Sequence, residues 1–108
     1  EKINGAIESL REEEPETLNG KKVIAFKDYK KGRSIDYLDG TEAEIDLPES
    51  NVLQFLLEDE TLITVRPSGT EPKLKIYFAV NDENLQKVEE KMEQVKKAIL
   101  NKINGYID

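Results

Sequence analysis

From Lys73 to Val80 the chain alternates strictly, with Leu74, Ile76, Phe78 and Val80 on one side and Lys73, Lys75, Tyr77 and Ala79 on the other. Successive side chains of a strand point to opposite faces, so this pattern describes a strand with one buried face and one open face. Such a strand belongs to an antiparallel sheet covered on a single side. The rest of the chain has to supply its partners and its cover.

Three further segments read as partners. Lys22 to Tyr29 (KVIAFKDY) and Asn51 to Leu57 (NVLQFLL) are rich in β-branched, aromatic and aliphatic residues, and Thr61 to Arg66 (TLITVR) follows the tight turn Glu58-Asp59-Glu60. Two segments read as cover. Between Lys2 and Glu14, Ile3, Ala6, Ile7 and Leu10 are spaced as on one face of a helix, and Pro15 stops it. From Glu83 to Ile103, Leu85, Val88, Met92, Val95 and Ile99 form a heptad-like seam, with Asp82 as N-cap, Glu83 in the first turn and Lys96, Lys97 and Lys102 toward the C-terminal end. A coiled coil is one use for that seam; beside an amphipathic sheet, a helix docked on the sheet is the better one. Lys30 to Leu47 is polar, with Gly32 and Asp39-Gly40 marking turns, and reads as an ordered loop or a weak edge hairpin. The expectation is an α+β fold: one domain over residues 1–108, a four-stranded antiparallel sheet, and N- and C-terminal helices packed on one face.

Composition excludes several chemistries. With no Cys and no His among 108 residues, disulfides, thiolate nucleophiles, imidazole bases and the usual zinc ligands are all absent. Cysteine absence favours a cytoplasmic location. No run approaches the roughly 18 apolar residues of a membrane helix, so no membrane partner is expected. The net charge of −7 repels polyphosphate backbones, so no nucleic-acid partner is expected either. Opening on Glu1 rather than Met, with Met92 the one methionine, the chain is expected to be part of a longer protein.

One segment runs against the acidic total. From Asp39 to Glu60 there are eight acids and no Lys or Arg, yet from Thr61 to Val80 stand Arg66, Lys73 and Lys75 against Glu71 alone. The loop Arg66-Pro67-Ser68-Gly69-Thr70-Glu71-Pro72-Lys73 gathers a guanidinium fork, two hydroxyls, a flexible Gly backbone and a Lys, all suited to a compact anion such as phosphate. Pro67 and Pro72 stiffen its ends. Lys73 and Lys75 point to the same side, about 7 Å apart along the strand. Read from the residues alone, an anion cradle and an ordinary turn both stay open, since Ser, Gly, Thr and Pro are common turn residues and a strand-end Arg often meets solvent or a carboxylate.

That loop, followed by Leu74-Lys75-Ile76-Tyr77, resembles the phosphate-binding loop of the α-D-phosphohexomutases, and Leu47-Pro48-Glu49-Ser50-Asn51-Val52-Leu53 through Asp59 resembles their bacterial phosphoglucomutase and phosphomannomutase branch. The likeness runs from about Ile3 to the final helix and covers only the family's C-terminal (fourth) domain. It implies a multidomain isomerase that interconverts hexose 1-phosphate and hexose 6-phosphate of glucose or mannose through a bisphosphate intermediate. A phosphoserine in another domain would transfer the phosphoryl group, with Mg2+ beside it. The C-terminal domain would close on the other domains of the same chain and grip the phosphate that is not being transferred.

By the same resemblance, Arg66, Ser68, Gly69 and Thr70 match the loop's phosphate contacts, and Lys75 falls where some relatives place a second basic contact. No catalytic serine loop, aspartate-rich metal loop or sugar-selecting loop is found: Ser9, Ser34, Ser50, Ser68, Asp36 to Gly40, Glu8-Ser9 and Glu49-Ser50 lack the surroundings. No catalytic residue, metal ligand or cofactor is therefore assigned here, and the domain alone is expected to be inactive. The alternatives are a stand-alone anion-binding or interaction module, and an RNA-binding sheet using Tyr77 and Phe78, whose positions on opposite faces argue against it.

Overall fold

Alternation along one strand leads to a sheet, but a wider one than four strands. A computed structural model of the chain describes residues 2–68, 73–80 and 84–107, with side chains from 5 to 105 of these. In chain order the elements are α1 (Lys2–Glu13), β1 (Thr17–Leu18), β2 (Lys21–Asp28), β3 (Arg33–Asp36), β4 (Thr41–Glu44), β5 (Leu53–Leu57), β6 (Leu62–Pro67), β7 (Leu74–Ala79) and α2 (Leu85–Ile107). The strands run in the order β4-β3-β2-β5-β6-β7, every pair antiparallel, with β1 paired to the start of β2.

The expected four strands are β2, β5, β6 and β7; among the described residues the sheet has seven. Of the two readings of Lys30 to Leu47, the edge hairpin is the one adopted, as β3 and β4. It lacked a pattern for a physical reason: Thr41–Glu44 is exposed at all four positions and Ile35 is the one buried side chain of β3. The two-residue β1 turns into β2 through Asn19 and Gly20, whose φ values of 53° and 70° make a tight hairpin turn that suits Asn-Gly.

The core is a register effect. Phe26, Phe55, Ile63 and Phe78 stand opposite one another across β2, β5, β6 and β7, as do Leu53, Val65 and Ile76 across the last three. The Phe26 and Phe55 rings meet at 5.0 Å between centroids. Ala6, Ile7 and Leu10 of α1 and Val95, Ile99 and Ile103 of α2 complete the same cluster. The alternate residues, among them Lys27, Gln54, Thr64 and Tyr77, occupy the opposite, helix-free face.

Helix α2 departs from its expected outline. Its 23 residues extend about 35 Å, against about 20 Å for a six-residue strand. Only its C-terminal part reaches the core, so Leu85 and Met92 are exposed although they belong to the apolar seam. Asp82 and Glu83 lie outside the described residues. The cap that is seen is Asn84, whose Oδ1 accepts hydrogen bonds from the amides of Gln86 (2.9 Å) and Lys87 (3.3 Å).

A buried ion pair ties α1 to the sheet. Arg11 Nε donates to Asp28 Oδ2 at 3.0 Å, with both side chains almost wholly inaccessible. Arg11 also donates through Nη2 to Asn51 Oδ1 at 2.5 Å and through Nη1 to Glu8. Asp28 Oδ1 in turn accepts from the amides of Lys30 (3.0 Å) and Lys31 (3.2 Å), holding the β2–β3 turn. Helix, strand end and the approach to β5 are thus fastened at one point. Asp28→Ala, which leaves the buried Arg11 Nε without its carboxylate and frees the turn, is expected to lower unfolding free energy by about 3 kcal/mol in urea titration followed by circular dichroism.

Beside α1, Tyr37 donates to Glu14 Oε1 at 3.1 Å, and Arg33 Nη1 reaches the same oxygen at 3.1 Å. Partial burial, reinforced by the negative charge of Glu14, pushes the Tyr37 phenol up to about 12 from its ordinary 10. The unfolded chain therefore loses this proton first, and the Tyr37 contribution to stability is intact below pH 10 and disappears as the pH rises from 10 to about 12. Tyr37→Phe should melt below wild type at pH 8, with the gap narrowing across that alkaline window; a gap that does not change with pH counts against this assignment.

Candidate functional site

The strand pair β6–β7 delivers the loop residues. Pro67 pairs with Leu74, and Arg66 stands directly opposite Lys75. Beyond them the Ser68 amide donates to the Lys73 carbonyl at 2.8 Å, closing the neck of the loop. Gly69 and Thr70 lie outside the described residues, as do Glu71 and Pro72. Of the five residues expected to bind, the structure describes Arg66, Ser68 and Lys75; it sets the first and last face to face as register partners, with Ser68 at the neck.

Alternation decides which way these side chains point. Val65 and Ile76 are core positions, so Arg66 and Lys75 rise from the helix-free face, Arg66 half-buried and Lys75 exposed. Lys73 is also exposed. In a chain whose net charge is −7, this end of the open face is cationic.

Tyr77 joins them. Two residues beyond Lys75 on β7, it shares their face, and its hydroxyl accepts a hydrogen bond from Arg66 Nη2 at 3.0 Å. The Arg66 Cζ also sits 5.6 Å from the Tyr77 ring centroid, within cation–π range. The hydrogen bond from Arg66, helped by the nearby positive charges of Arg66 and Lys75, lowers the Tyr77 pKa below its ordinary 10. Sequence reasoning placed Tyr77 on the face of Lys73 and Lys75 but gave it no part in this site. The signal was there in the alternation; what was missing was the register that puts Arg66 within its reach.

The other two arginines behave differently. Arg11 is paired with Asp28 and Glu8, and Arg33 with Glu14 and Glu42. Among the described residues Arg66 meets a neutral hydroxyl and no carboxylate, so the partner seen to orient it carries no opposing charge. A guanidinium so placed, beside a Lys and a loop rich in hydroxyls and amides, can take a compact dianion through paired N–H donors.

A polar row continues across the open face, from Tyr29 Oη donating to Gln54 Oε1 (2.7 Å) to Gln54 Nε2 donating to Thr64 Oγ1 (3.1 Å). A hollow of about 670 Å3 opens elsewhere, between the end of α1 and the β3–β4 hairpin. Its Glu14, Arg33, Tyr37 and Glu42 already satisfy one another, so the chemistry points to the loop rather than to the hollow. Among the described residues no group of three or more acidic side chains converges to hold a metal ion. No helix among them is long and apolar enough to cross a membrane.

Comparison with known proteins points to one family. The sequence pattern of the family described as phosphoglucomutase/phosphomannomutase, C-terminal domain, matches residues 10–95. A phosphoglucomutase of Staphylococcus haemolyticus is 42% identical over 88 residues, 82% of this chain. Those of Staphylococcus saprophyticus and Staphylococcus aureus (strain USA300) are 34% and 37% identical over 92 and 91 residues, 85% and 84% of the chain. In each case the chain spans 16% of the relative's length. No solved structure matches the chain significantly.

Proposed function

The chain belongs to the phosphoglucomutase/phosphomannomutase C-terminal domain family, and on that premise we propose that it is the substrate phosphate-binding domain of a phosphohexomutase interconverting hexose 1-phosphate and hexose 6-phosphate. The observation that carries this reading is Arg66: a half-buried residue at the neck of the loop whose guanidinium is oriented by Tyr77 and, among the described residues, meets no carboxylate. Arg66 supplies the main charge-assisted contact to the phosphate, Lys75 a second cation from the facing strand, and Ser68, Gly69 and Thr70 the hydroxyl and amide donors of the loop.

The domain acts on the phosphate that is not transferred. Holding a remote, non-reacting group fixes the reacting end of the sugar and converts binding energy into alignment, provided the grip persists in the transition state. Closure of this domain over the sugar, against other domains of the same polypeptide, would also exclude water that could intercept the phosphoryl group. The phosphoserine belongs to those other domains, so this domain alone is inactive. Mg2+, which the family resemblance puts beside that serine, finds no carboxylate cluster among the described residues. A hexose metabolised as its phosphate ester, by a protein without cysteine, suits the cytoplasm.

Arg66→Ala in the full-length protein tests the reading. Steady-state kinetics with glucose 1-phosphate are expected to show kcat/KM reduced about 10- to 100-fold, mostly through KM, the range of a lost charged hydrogen bond. Unchanged kinetics would remove Arg66 from the site and return the interaction-module alternative to first place.

A further inference from the structure

We infer that Tyr77 is a positioning residue for the phosphate site: it holds the Arg66 guanidinium in its binding direction before any phosphate arrives. The inference rests on the reading of Arg66 given above and adds a residue to it.

Three observations carry it. The first is geometric. Tyr77 touches Arg66 twice, by a hydrogen bond from Nη2 at 3.0 Å and by the ring face at 5.6 Å from Cζ. A single contact leaves a long side chain free to swing, whereas two contacts on different parts of one guanidinium define its plane. The second is mechanical. Thr64 and Tyr77 are register partners, as are Arg66 and Lys75, so Tyr77 is the diagonal neighbour of Arg66 across the β6–β7 ladder. Tyrosine has few rotatable bonds and stands on a paired strand, which makes it a stiffer support than any side chain of the loop could be.

The third is electrostatic. Arg11 and Arg33 are held by carboxylates, the stronger partners for a guanidinium. Those partners also neutralise the charge. A phenol orients Arg66 without itself opposing the positive charge, and among the described residues the N–H donors not spent on the hydroxyl meet no carboxylate. An arginine serving the fold alone gains more from an acid; one that must meet an anion gains from a neutral support. Freezing its rotamers in advance means that less side-chain entropy is lost when phosphate binds.

The test is a double-mutant cycle on the chain, using Tyr77→Phe, Arg66→Ala and the pair, with inorganic phosphate as the probe. Tyr77→Phe keeps the ring and removes the hydroxyl. NMR of the Arg66 guanidinium, without ligand, should show rotation about the Cζ–Nε bond several-fold faster in Tyr77→Phe than in wild type. Phosphate affinity should fall about three- to tenfold. In the Arg66→Ala background the same Tyr77 substitution should change affinity less than twofold, a silence that a merely structural tyrosine would not produce. Rotation unaffected by Tyr77→Phe overturns the inference outright, as does an equal affinity loss in both backgrounds. If instead Arg66→Ala binds phosphate as wild type does, the reading of Arg66 itself fails, while the rotation rates still judge whether Tyr77 holds it.

Discussion

Everything at the loop end of this sheet follows from the period-two geometry of a strand that buries one face. Once Phe55, Ile63 and Phe78 are committed to the helices, their neighbours have no choice of side. Gln54, Thr64, Arg66, Lys75 and Tyr77 are forced together onto the other face, across three strands and in fixed register. A slip of one residue in β7 would put Lys75 into the core and Ile76 into solvent, and that cost keeps the cationic pair opposed. The core therefore specifies the site without touching it.

The buried Arg11–Asp28 pair stands at the same end of the sheet, on the opposite face. Asp28 is the register partner of Leu53, which pairs with Val65, one residue before Arg66. The fastening of α1 to the end of β2 and the approach to β5 thus braces the strands that carry the loop. Two arginines fill contrasting roles here. One is sealed and held by acids and an amide, and the other, among the described residues, is held by a neutral hydroxyl.

How much of this could be read from the sequence depended on whether a residue's environment was local. The strong strands were legible because each buries a face against the helices, and that leaves alternation in the sequence; β3 and β4 were legible only as one of two options because an edge hairpin with four exposed positions leaves none. Leu85 and Met92 carried the correct period for a docked helix, but the period does not say how much of the helix is covered, and both are exposed. The ion pair was invisible for another reason: Arg11 and Asp28 are 17 residues apart and joined only by packing. At the proposed site, chemistry and the family resemblance singled out the loop residues, while the bond from Arg66 to Tyr77 needed the β6–β7 register.

The β4 strand has a consequence beyond the single molecule. As the outermost strand it exposes an unpaired row of backbone N–H and C=O groups, the kind of rim along which proteins recruit further strands and aggregate. Here Glu42 and Glu44 project from the same side of that rim, within the long acidic stretch that begins at Asp39. Glu42 is held by Arg33, but a second copy whose glutamates came to face Glu44 across a rim-to-rim ladder would meet like charge and be repelled. Such an edge discourages self-association in a crowded solution without needing a loop or helix to shield it.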